Sequence, residues 1–61
     1  MVQRKFENGE KVRDQEGNIG TVEGFAYHEG VENQYLFKQW LATNAIYTTK
    51  WVKESEIVRC L

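Results

Sequence analysis

The residues able to do chemistry in this chain are few and scattered. His28 is the single histidine, and proton transfer near neutral pH calls for one. It stands beside Glu29 and Gly30 in a polar turn, with no serine or cysteine nucleophile near it, and reads as a surface-loop histidine. Cys60 is the single cysteine, and one Cys with one His cannot hold zinc. It reads as an inert or merely oxidisable thiol at the end of the chain. Glu54 and Glu56 flank Ser55 and read as residues that solvate a final turn. No phosphate loop, metal-ligand cluster or catalytic constellation can be assembled, so no catalytic residue, metal or cofactor is expected.

The aromatic residues are more informative. Three Phe, three Tyr and two Trp in 61 residues are more than one small core can enclose. Surplus Trp and Tyr on a surface mark an interaction site, because these residues dominate binding energy. Trp40, Trp51, Tyr47 and Tyr27 are the candidates for a partner-binding patch.

Those side chains must be positioned by strands. Glu10–Arg13 reads as a short first strand with Val12 inward, and Asp14–Asn18 as a turn in which Gly17 and Asn18 accept positive φ. Ile19–His28 is a second strand whose Gly20 and Gly24 suit a bulge or a barrel corner. Glu29–Asn33 is a polar turn. Residues 34–41 fit either a strand or a helical stripe. The strand is preferred because Ile46–Val52, rich in β-branched and aromatic residues, is its natural partner across a hairpin loop at Ala42–Ala45. Alternation then sends Trp40 and Lys38 outward if Phe37 points in, with Tyr47 and Trp51 sharing one face of the next strand. Lys53–Ser55 is a tight turn and Glu56–Arg59 a last short strand. The expected fold is all-β: a five-stranded, strongly bent SH3-like barrel with a tight turn before the last strand. Its core is expected to hold Val12, Val22, Phe25, Phe37, Val52 and Ile57. Residues 1–61 form one domain, with residues 1–8 as a loosely ordered leading segment.

Charge narrows the partner classes. Eight Lys/Arg stand against nine Asp/Glu, a net charge of −1, whereas phosphate-binding domains carry a positive excess. Arg4, Lys5, Lys11 and Arg13 do gather near the start, but Glu7, Glu10, Asp14 and Glu16 are interleaved with them. A lone thiol and a start without a signal-peptide pattern point to a reducing cytoplasm, and no stretch approaches a membrane span. With no disulfide to staple so short a chain, self-association would help stability.

Three family resemblances follow from particular residues. Gly9-Glu10-Lys11-Val12, then Gly17 and Gly20-Thr21-Val22, resembles the opening of KOW-type and other small SH3-like barrels, which implies contact with RNA or the transcription machinery. Tyr35-Leu36-Phe37-Lys38-Gln39-Trp40, with Thr49-Lys50-Trp51-Val52 and Glu54-Ser55-Glu56-Ile57, is similar to chromodomain-type barrels. Gln39 is inserted before Trp40 relative to that pattern, so methyl-lysine recognition is not carried over. The first strand and the glycine-aromatic step also resemble the type II dihydrofolate reductase barrel, an enzyme built around a tetramer pore. Here Asn44-Ala45-Ile46-Tyr47 stands near that family's valine-glutamine-isoleucine-tyrosine strand, without the glutamine. The preferred reading is a non-catalytic module binding a protein or peptide, or another copy of itself, through the aromatic patch. The alternative is nucleic-acid binding, with Arg4, Lys5, Lys11, Arg13, Lys38 and Lys50 on phosphates and Trp40 or Trp51 stacking on bases. A pore-forming oligomeric enzyme is the remote third.

Overall fold

The computed structural model describes residues 3–60. Five strands follow one another along the chain: β1 Lys11–Asp14, β2 Ile19–Ala26, β3 Gln34–Leu41, β4 Ile46–Lys53 and β5 Ile57–Arg59. A 3₁₀ turn at Glu54–Glu56 separates the last two. All pairings are antiparallel, in the order β4-β3-β2-β1-β5. Residues 34–41 are therefore a strand, and the tight turn before the last strand is present. No helix among the described residues is long and apolar enough to cross a membrane.

The connection from β4 to β5 dictates the curvature. These strands lie at opposite ends of the sheet, which if flat would set them about 19 Å apart, four steps of ~4.8 Å. A three-residue 3₁₀ turn rises only about 6 Å. The sheet must curl until its two ends approach. Part of the bend comes from β2, where the register to β3 slips between Val22↔Phe37 and Gly24↔Leu36. That bulge spends one residue, Glu23, without a partner and reverses the side-chain parity. Val22 and Phe25, three residues apart, thus both face the core side.

Gly20 permits the closest approach. It pairs with Val12, and a Cβ there would overlap the Lys38 carbonyl oxygen and stand 2.9 Å from Phe37 Cζ. Gly24 is less confined, with its nearest neighbour Leu36 Cβ at 3.3 Å.

The buried core comprises Phe6, Val12, Val22, Tyr35, Phe37, Val52 and Ile57, with Phe25 packed against it but only partly buried. Five of the six expected core residues are enclosed, while Phe25 sits at the margin. Its outer surface is covered by the Arg4 guanidinium, 4.6 Å from the ring centroid. Phe6 and Tyr35 complete the interior. Phe6 lies in the segment expected to be loosely ordered; Met1 and Val2 of that segment are outside the described residues. Its ring meets Tyr35 edge-on, with centroids 5.4 Å apart at 80°, and Phe25 packs on Tyr35 at 5.3 Å.

Backbone bonds fasten this segment. Gly9 N donates to Val22 O at 2.6 Å, and Lys5 N donates to the Tyr35 hydroxyl at 3.0 Å. Arg59 pairs with Glu10 and donates to the Lys5 carbonyl at 2.7 Å.

Strand limits shift slightly from expectation. β2 ends at Ala26 instead of His28, because the chain turns where Val31 N donates to His28 O. β1 runs to Asp14, which is a buried strand end and not a solvated turn residue. Its carboxylate accepts from Glu16 N, Asn18 N and Asn18 Nδ2 at 2.9, 2.9 and 3.1 Å, and from Lys50 Nζ at 3.3 Å. Burial pushes Asp14 up, but these donors outweigh it and hold its pKa below the usual aspartate value. Glu54 likewise does more than solvate the turn. It accepts from the Tyr35 hydroxyl at 2.5 Å and from Asn33 Nδ2 at 3.1 Å, which lowers its pKa. Burial, and then Glu54, push the Tyr35 phenol up.

Gly20→Ala should lower unfolding free energy by about 2 kcal/mol or more through overpacking, and Gly24→Ala by clearly less, both read from urea midpoints. Both carboxylates have folded pKa values below their unfolded ones. Their contribution is therefore present above the ordinary carboxylate range and is lost as pH falls through the folded values. Urea midpoints should stay level from neutral pH down to about 5 and drop below about 4. Glu54→Gln and Asp14→Asn should each make that acid limb shallower, and a profile parallel to the parent's would contradict the assignment.

Candidate functional site

The outer face of the sheet is built by parity. Tyr35 and Phe37 point into the core, so Leu36, Lys38 and Trp40 point away from it. The β3–β4 register then sets Tyr47 opposite Trp40, Thr49 opposite Lys38 and Trp51 opposite Leu36. From β2, Thr21 pairs with Lys38 on this face, and Lys11 of β1 pairs with Thr21. The β2–β3 ladder stops at Thr21↔Lys38, whereas β3 and β4 continue for three more rungs to Leu41↔Ile46. That end of the hairpin is a two-stranded arm. Its loop closes with Ala45 at a φ of 53° and with Asn44 N donating to Leu41 O.

Trp40 and Tyr47 are packed together on the arm, centroids 4.8 Å apart and tilted by 60°. Lys38 Nζ lies 4.4 Å from the centre of the Tyr47 ring, a cation–π contact. Even so, Trp40 is 50% and Tyr47 60% exposed. With Lys11, Ile19, Gly20, Thr21 and Lys38 they line a groove of about 270 Å³. Trp51, 53% exposed, sits four rungs from the Trp40–Tyr47 pair and lies over Gly24, its Cη2 3.8 Å from where a Cβ would stand.

Three of the four expected patch residues thus share one face. Tyr27 does not line the groove; it follows the end of β2 and is exposed there. Ile19 was not foreseen in this surface, although it precedes inward Val22 by three residues and so falls outward by simple alternation. The six candidate cations are divided. Lys11 and Lys38 reach the groove. Lys50 pairs with Asp14 and lies 5.6 Å from the Phe37 ring. Arg4 is bound to Phe6 O and Asn8 Oδ1, and Lys5 Nζ lies 5.5 Å from the Phe6 ring. Arg13 sits on β1 between Ile19 and Val58. They form no single stripe.

A second depression, about 340 Å³, lies between β4 and the β1–β2 turn, lined by Asp14, Gln15, Glu16, Lys50, Trp51, Val52 and Glu56. The Asp14–Lys50 pair bridges it. Among the described residues no three metal-ligating side chains gather. No protein family, curated protein or solved structure matches the chain.

Because the outer aromatics are half exposed, Trp40→Ala and Trp51→Ala should each change unfolding free energy by no more than about 1 kcal/mol, whereas Phe37→Ala should cost about 3–5 kcal/mol. Thermal and urea unfolding of the three variants check this.

Proposed function

We propose that this chain is a small non-catalytic binding module that takes a protein or peptide against the outer face of β3 and β4. Trp40 and Tyr47 serve as anchors, and Trp51 extends the contact. The observation that carries the reading is the Trp40–Tyr47 pair, packed ring on ring yet half exposed at the end of a protruding hairpin. Amphipathic rings with few rotatable bonds are the usual centres of binding energy. The ammonium groups of Lys11 and Lys38 at the same groove favour a partner carrying acidic groups beside its apolar anchor.

One observation favours a second reading: the groove joins two lysines to two stackable rings, the ingredients of single-strand nucleic-acid binding. The overall charge of −1 weighs against it.

Peptides selected on the immobilised protein from a random library should bind at least tenfold more weakly to Trp40→Ala and Tyr47→Ala. Tyr27→Ala and moderate added salt should change little. Selected peptides that bind Trp40→Ala as tightly as the parent would overturn the proposal. A single-stranded oligonucleotide whose binding falls steeply with salt would promote the second reading.

A further inference from the structure

β4 ends the sheet with an open edge. Seven of its eight residues are exposed. Apart from the ladder to β3 and Lys53 N, which donates to Glu56 Oε1 at 2.7 Å, no hydrogen bond among the described residues reaches the backbone of Ile46–Lys53. A bare edge of this length is a template for another strand. We propose that its occupant is a second copy of this chain, paired antiparallel, β4 to β4, about a two-fold axis through Thr49.

The register follows from self-complementarity. Two-fold antiparallel pairing sets residues of the same face opposite each other, so the axis must pass through a residue. At Thr49, Tyr47 faces Trp51 of the second copy and Trp51 faces its Tyr47, while Ile46 faces Val52. Lys50 then faces Thr48 and Lys53 faces Ala45, so no like charges stand directly opposite each other. Moving the axis to Lys50 sets two lysines directly opposite. Moving it to Thr48 leaves Trp51 against Ala45 and Lys50 against Ile46. Aromatic cross-strand pairs stabilise and opposed like charges destabilise, so the Thr49 axis is preferred. Edge lysines ordinarily discourage pairing; here they select one register.

The area is consistent with a transient dimer. Tyr47 and Trp51 are each more than half exposed. Only the flanks of these rings and the two joined backbones are covered in the pair, so the interface stays below roughly 1,200 Å², in the range of transient complexes. Pairing also completes the outer surface: Trp40 and Tyr47 are continued by Trp51 and Leu36 of the second copy in one row across four strands. The inference stands on the edge of β4 and is independent of what binds the outer face.

Sedimentation equilibrium of the full chain from about 10 µM to about 1 mM, where so small an interface is populated, tests it. The average mass should climb from 7.2 kDa towards twice that value. Thr49→Lys and Thr49→Glu, both at an exposed position, should each weaken dimerisation several-fold at low salt with unchanged circular dichroism. An equimolar mixture of the two should regain it, because residue 49 faces itself across the axis. A wild-type mass that stays monomeric throughout overturns the proposal. So does a Thr49→Lys variant that dimerises like the parent, or a mixture that gains nothing over its components.

Discussion

The inward setting of Tyr35 is the constraint from which the rest follows. Its ring is enclosed between Phe6 and Phe25, and its hydroxyl accepts a hydrogen bond from the Lys5 amide and donates one to Glu54. One side chain thereby joins the leading segment, β2, β3 and the 3₁₀ turn. It also fixes the parity of β3, since a strand with Tyr35 and Phe37 inside has no choice but to carry Lys38 and Trp40 outside. Through the hairpin register that parity reaches β4 and places Tyr47 and Trp51 on the same outer face. A one-residue slip would bury the lysine and expose the tyrosine.

The core is consequently confined to one end of a long hairpin. Only Val52 of β4 is buried, and the last three rungs of β3 and β4 have no third strand against them. An arm that adds nothing to the core yet holds two aromatic rings in tilted contact is costly to leave in water, where apolar area favours burial at about 25 cal/mol per Å². The features that make this end poor as interior make it suitable as a contact surface: rigid strand backbone, paired rings and flanking ammonium groups.

Much of this was legible in the residues. Glycine punctuation and two β-branched or aromatic runs gave the strands to within a residue or two. The ambiguity at residues 34–41 yielded to the partner strand at 46–53, because pairing settles what periodicity alone leaves open. Phe6 escaped because it is a single apolar residue in a charged stretch with no periodic signal; only the need to cap Tyr35 calls it inward. Asp14 escaped because an aspartate before a glycine turn usually faces water, and its burial rests on four donors that come from the turn and from Lys50. For the site, alternation identified Trp40, Tyr47 and Trp51. It gave no hint that Lys11 and Ile19, remote in sequence, would share their groove, since that depends on the curl of the sheet. Tyr27 lay beyond its reach for a related reason, as the strand stops one residue before it.

The central claim is that the Trp40–Tyr47 face is where this protein meets another chain. The most direct test is a photo-crosslinking amino acid placed at position 47, and in a parallel sample at position 27, in cells of its source. Adducts should form from position 47 and be absent or far weaker from position 27. Equal labelling from both positions, or none from position 47 in folded protein, would contradict the account.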